Sequence, residues 1–172
     1  GYVITIGHAI YAKGRWKTIE NLNSSNLTIV QIGGGVTAKH HEHAKANNVE
    51  LKALPRVSQA TIRVLMRNAK AMVSNAINEP FGLTPPESYF VGCPVIVSNQ
   101  GGFRETVVDG ITRRLLNHGD DWISAIEEGH VKREIWSEAG RKHIEKIDLT
   151  PDTQAKKVFD LLTQTSREPN QA

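Results

Sequence analysis

Short apolar runs alternate with helix-period segments along most of this chain, and that alternation limits its fold more than any other feature. The runs Val3 to Ile6, Leu27 to Ile32, Val49 to Leu51, Ala71 to Ser74, Pro94 to Val97 and Arg114 to Leu116 have strand length and are rich in β-branched residues. Between them, Trp16 to Leu22, Ala38 to Ala46, Ser58 to Arg67, Pro85 to Val91 and Phe103 to Val108 carry helical spacing. Strand and helix in steady succession predict an α/β fold: a Rossmann-like, doubly wound parallel sheet of about six strands with helices on both faces. Asp120 to Gly129, Val131 to Ile144 and Thr153 to Thr165 read as further helices, and Ser166 to Ala172 as a frayed polar tail. Residues 1–165 are therefore expected to form a single domain.

Composition narrows the function classes. At 172 residues, with 39% hydrophobic and 23% charged residues, the chain suits one globular domain. No apolar run approaches the roughly 20 residues that span a bilayer, and no segment of this sequence reads as a signal peptide. The lone Cys93, in the apolar setting Val91-Gly92-Cys93-Pro94-Val95, precludes an internal disulfide and reads as a buried small hydrophobe. It fits a reducing compartment, so the expected location is cytoplasmic, with the cytoplasmic face of a membrane as a variant. A net charge of +3 welcomes an anionic ligand. The basic residues are scattered in pairs such as Lys132-Arg133, which argues against a nucleic-acid partner. The chain opens on a strand rather than on Met, as a piece of a longer polypeptide would.

In an open parallel sheet, ligands bind beyond the carboxyl ends of the strands. The segments that follow strands carry His8, Lys13 and Gly14, then Gly33-Gly34-Gly35, Arg56, Asn78-Glu79 through Thr84, and Ser98 through Gly102. Glu79-Pro80-Phe81-Gly82-Leu83-Thr84-Pro85-Pro86-Glu87 sets two carboxylates around a glycine turn that opens a helix, and Gly101-Gly102-Phe103-Arg104-Glu105 follows. Free amides at a helix start favour phosphate, and carboxylates accept hydrogen bonds from hydroxyls.

With Glu79 and Glu87 spaced as Glu-x7-Glu, Gly92-Cys93-Pro94-Val95-Ile96, and Gly101-Gly102 with Glu105, the chain resembles the C-terminal donor-binding domain of retaining GT-B glycosyltransferases over about Tyr2 to Asp121. The resemblance implies a retaining, metal-independent hexosyltransferase. Its substrate is a nucleotide-diphosphate sugar, with no separate cofactor. Its acceptor, a glycan or lipid-linked sugar, belongs to an N-terminal domain absent here or to a partner chain. By the same resemblance Glu79 lies at the sugar hydroxyls, Glu87 at the ribose and the amides of Gly82, Leu83 and Thr84 at the diphosphate. Lys13 offsets charge on the leaving group, and Arg56 borders the base. A non-catalytic nucleotide-sugar-binding module is the alternative.

Three departures from the family pattern stand out. The arginine that normally precedes the lysine is His8, fully charged only below about pH 6.5, which makes phosphate binding more pH-dependent. Arg113 stands where a glycine enters the last strand, and the first helix is short.

Other residues keep plainer readings open. Thr84-Pro85-Pro86-Glu87 is also a capping box, so Glu87 serves either the helix or the ligand. Gly33-Gly34-Gly35-Val36-Thr37-Ala38 fits a dinucleotide fingerprint for NAD or FAD, yet it follows the second strand, and Glu50 lies within the next strand rather than at its end. His40 and His43 could share one helix face, but the spacing is not HExxH and no distant ligand set accompanies them, so a solvated helix face and no metal are expected.

Overall fold

The computed structural model describes residues 1–117 and 119–147. Six strands form one sheet: β1 Tyr2–Ile6, β2 Thr28–Ile32, β3 Glu50–Leu54, β4 Met72–Ser74, β5 Val95–Ser98 and β6 Arg114–Leu116, in the order β3-β2-β1-β4-β5-β6. Every pairing is parallel; Tyr2 stands opposite Thr28, Thr28 opposite Glu50, and Met72 opposite Val95. The order reverses between β1 and β4, which opens a crevice there.

Helices cover both faces, so the inner strands are apolar on both sides and show no alternation. On one face Ile19 of α1 (Arg15–Asn21) with Leu22 at its C-cap, Ala44 of α2 (Ala38–Ala46) and Ile126 of α6 (Trp122–Val131) pack on Val3, Ile29, Val73 and Ile96. On the other, Met66 of α3 (Gln59–Asn68), Tyr89 of α4 (Thr84–Phe90) and Phe103 of α5 (Phe103–Thr106) pack on Ile4, Met72, Val95 and Val97. α7 (Arg133–Ile147) gives Trp136 to the first core and Ile144 to the second.

Local caps set several boundaries. Ser58 accepts the Thr61 amide at 3.1 Å ahead of α3, and Asp121 the Ser124 amide at 2.9 Å ahead of α6. The expected strand at Val49 to Leu51 runs further, to Leu54; β3 is an edge strand whose residues Glu50, Lys52 and Ala53 face solvent. α5 ends at Thr106, earlier than its helical spacing suggests, because Val107 turns extended. The expected helix at Thr153 to Thr165, the tail Ser166 to Ala172 and the end of the 1–165 domain lie outside the described residues. Among the described residues no helix is long and apolar enough to cross a membrane.

Arg113, just before β6, is fully buried. Its guanidinium lies 3.1 Å from the Tyr89 ring centroid and Nε donates to Thr112 at 2.6 Å, while both terminal nitrogens have no hydrogen-bond partner among the described residues. Burial lowers its pKa to about 8.

Candidate functional site

The crevice between β1 and β4 is lined by the segments that leave these two strands. After β1 the chain turns through Tyr11–Lys13 and Gly14 into α1; after β4 it runs through Asn75 to Leu83 into α4. The Ile77 amide donates to the Ala12 carbonyl at 2.8 Å, which ties the two segments together. Lys13 Nζ consequently meets Glu79 Oε2 at 2.7 Å, with side chains 34% and 18% exposed. Gly102 donates its amide to the Glu79 carbonyl at 2.7 Å and fixes that loop from the β5 side.

A buried polar cluster holds the start of the Lys13 segment. Arg15 donates to the carbonyls of Ile6 at 2.9 Å and Lys13 at 3.3 Å, and Gln31 Nε2 donates to Gly7 O at 2.5 Å. The Thr5 hydroxyl bonds to Gln31 Oε1 beneath them. Burial lowers the Arg15 pKa to about 10, which leaves it charged at neutral pH. Sequence reasoning missed Arg15 and Gln31. The available signal was a glutamine inside the otherwise apolar run Ile29-Val30-Gln31-Ile32, since a polar residue in a doubly covered strand needs a partner.

Gly82 opens the second half of the crevice at φ +76°, and a Cβ there would lie 2.7 Å from Phe103 Cδ1. α4 has Leu83 as N-cap with no side-chain cap, so Thr84 is its first residue and the anticipated capping box does not form. Pro85 and Pro86 fill the second and third positions and carry no N–H, while the Glu87 amide bonds to Leu83 O at 3.3 Å. The amides of Gly82, Leu83 and Thr84 meet no acceptor among the described residues. Three adjacent free donors therefore lie at the positive end of a short helix.

Glu87 sits one turn further along α4, in a groove of about 440 Å³ against α3 that Gln59, Arg63 and Phe90 also line. Partial burial raises its pKa, with the Arg63 charge acting the other way. His8 is exposed and lies against the Gly33–Gly35 loop, where a Cβ on Gly35 would stand 2.5 Å from its Cε1. Arg56 is exposed after the edge strand β3. The structure thus pairs Lys13 with Glu79; no contact joins His8, Arg56 or Glu87 to that pair.

The remaining candidates lie apart from the Lys13–Glu79 pair. Gly33 to Gly35 follow β2, one strand to the side of the reversal, where Gly34 O accepts the Ala9 amide at 2.9 Å, and Glu50 opens β3 at the opposite end from the crevice, bonded to Thr28 at 2.6 Å. A ribose-binding carboxylate would stand at the other end of that strand. His40 is buried rather than on a solvated face: Trp16 stacks on it at 4.8 Å and also contacts His43 at 4.7 Å. Among the described residues no group of three His, Cys, Asp or Glu side chains could hold a metal ion. Cys93 is buried and its thiol pKa is pushed up to about 12.

A sequence model of the family Glycosyl transferases group 1 matches residues 2–143. The chain belongs to this family. The glycosyltransferase domain is 33% identical over 104 residues to alpha-1,3/1,6-mannosyltransferase alg-2 of Neurospora crassa, covering 58% of this chain and 22% of that protein. It is 34% identical over 95 residues to the D-inositol 3-phosphate glycosyltransferase of Geodermatophilus obscurus, covering 54% and 21%. The matched stretches span about a fifth of the length of these relatives. Anabaena Alr3699/HepE, solved in complex with UDP-glucose, superposes with a TM-score of 0.73 at 21% identity over 95% of this chain and 48% of that one. At that identity the likeness shows the fold alone, a Rossmann-like unit that matches about half of a GT-B glycosyltransferase.

Proposed function

We propose that this domain binds a nucleotide-diphosphate sugar and serves the retaining, metal-independent transfer of a hexose to a glycan or lipid-linked acceptor. The observation that carries the proposal is the Lys13–Glu79 pair, 2.7 Å apart in the crevice that also holds the free amides of Gly82, Leu83 and Thr84. A diphosphate seated on those amides lies within the field of the α4 N-terminus. Lys13 turns one of its three donors to the phosphate while keeping another on Glu79. As the sugar–phosphate bond breaks, charge gathers on the departing diphosphate, and Lys13 and the amides stabilise it. Glu79, held by Lys13 and the Gly102 amide, accepts from the sugar hydroxyls near the anomeric carbon.

Glu87 takes the ribose hydroxyls, His8 assists at the phosphate and Arg56 borders the base. No separate cofactor takes part. The acceptor is supplied by an N-terminal domain or a partner chain, and the reaction is cytoplasmic. The UDP-glucose held by the Anabaena relative and the mannosyltransferase named for the Neurospora one support the substrate class.

The test is a thermal-shift panel of UDP, GDP, ADP and their sugars, with NAD as control. One base should stabilise the chain in proportion to ligand concentration. Lys13→Met should weaken that stabilisation by about tenfold in apparent affinity, the loss of one charge-assisted bond. Stabilisation by NAD alone, or by none of the panel, would overturn the proposal.

A further inference from the structure

Beyond the ends of β4, β5 and β6, between α1 and α6, the sheet edge holds a second hollow of about 280 Å³ that shares none of Lys13, Glu79, Gly82 or Glu87. Its chemistry differs from that of the donor crevice. Among the described residues no carboxylate lines it, and the one cation in the lining, Lys17, is exposed and tied to Glu20 at 2.8 Å. The walls are amides, Asn21, Asn75, Asn99, Gln100 and Asn117, set beside apolar patches from Ile77, Leu116 and Trp122.

Part of this amide capacity is used to hold the walls in place. Asn21 Nδ2 donates to Asn75 Oδ1 at 3.0 Å, Asn75 Nδ2 to Thr18 at 3.2 Å and Asn99 Nδ2 to Asn117 Oδ1 at 3.2 Å. Asn99 Oδ1 accepts Arg104 Nε at 3.0 Å, whereas the Asn21 side-chain oxygen, both ends of the Gln100 amide and the Asn117 side-chain nitrogen meet no partner among the described residues. Trp122, 3% exposed, forms part of the wall, and its indole N–H is buried with no acceptor among the described residues, so its resonance reports on changes in that wall.

We propose that this hollow binds one neutral sugar ring as a subsite separate from the donor crevice. Each sugar hydroxyl both donates and accepts, and amides do the same, so an uncharged amide wall matches vicinal hydroxyls better than it matches phosphate or a cation. Ile77, Leu116 and the indole face the C–H side of such a ring. The volume lies just below the range of about 300–1,000 Å³ for drug-sized ligands, which suits a single ring. The same Asn75 to Glu79 segment borders both hollows, so a ring seated here would lie beside the proposed transfer centre. Its role as an acceptor unit rests on the glycosyltransferase proposal; its occupancy by sugar does not.

The test follows the three indole N–H resonances of Trp16, Trp122 and Trp136, with Trp122 assigned through Trp122→Phe, while glucose, mannose and N-acetylglucosamine are titrated separately into the chain. At least one sugar should shift the Trp122 resonance saturably, with or without a saturating nucleoside diphosphate. Gln100→Ala and Asn117→Ala, both at exposed positions, should each weaken the effect by about tenfold. Neither should change the stabilisation produced by nucleotide. An unmoved Trp122 resonance, a shift that survives both substitutions, or one abolished by nucleoside diphosphate would overturn the proposal. Nucleotide stabilisation is read independently, so failure here is distinguishable from failure of the donor-site proposal.

Discussion

Single residues carry sharply different constraints in this chain. Gly82 combines a positive φ with the Phe103 ring against its back, so Gly82→Ala should lower stability by about 1–3 kcal/mol and also weaken nucleoside diphosphate binding. Urea unfolding and a nucleotide titration on the same variant check both effects; an unchanged midpoint would show that the turn relaxes freely. Arg113 makes the opposite case. Its charge is buried with two unpaired nitrogens, and the Tyr89 ring and Thr112 hydroxyl compensate only part of that cost. Arg113→Met keeps an unbranched apolar stem and removes the charge, so the unfolding free energy should rise by about 1 kcal/mol or more. A lower unfolding midpoint for Arg113→Met would mean that the ring and hydroxyl contacts outweigh desolvation. Motif position in the sequence singled out Lys13 and Glu79 separately. Their ion pair joins residues 66 positions apart and was legible only once β1 and β4 lay side by side.

At the scale of elements, legibility followed burial. The inner strands and most helices matched their apolar spacing, because two covered faces impose a continuous apolar run and a covered helix imposes a stripe. β3 was read short because an edge strand tolerates Glu50 and Lys52, which break the signal. α4 was misread at its start because Thr84 and Glu87 have capping-box spacing while two prolines shift the first turn. The start of α2 contains a titratable contact that sequence could not reveal. His40 Nδ1 accepts the Thr37 amide at 3.2 Å, and the ring is stacked under Trp16. Burial lowers its pKa below the ordinary 6.5, and His41, Arg15 and His43 press in the same direction. The unfolded chain therefore binds this proton more readily, so the stabilisation is present above about pH 6.5 and is lost as the pH falls through the folded-state pKa. His40→Gln keeps a side-chain acceptor without the titration. Between pH 7.5 and pH 5, ordinary limits for a histidine titration, the wild type should lose more thermal stability than His40→Gln. Parallel losses would show that His40 is not the group responsible.

For the whole molecule, the six-strand alternation made a parallel doubly wound sheet readable, but not the order of its strands, since strand length and polarity do not encode neighbours. That order decides where the chemistry can lie. The β1–β4 reversal brings Lys13 and Glu79 to the crevice and leaves the glycine loop after β2 one strand to the side. The opposite edge, where β1 begins and Lys70 pairs with Glu127, lies at the other ends of the strands. Amides of β1, β4 and β5 lie between two buried cores and should exchange with solvent only through global unfolding. Loop amides at Gly82 to Thr84 have no acceptor among the described residues and should exchange fast without nucleotide. A nucleoside diphosphate that binds as proposed ties down those amides directly and stabilises the folded state by mass action. Hydrogen exchange with and without UDP, GDP or ADP should then show the largest slowing at residues 79–84, a smaller one at 8–14, and a uniform shift in the central strands. Slowing concentrated near Lys70 or Glu127 would place the nucleotide at the wrong edge of the sheet and remove the basis for both Lys13 and Glu79 as site residues.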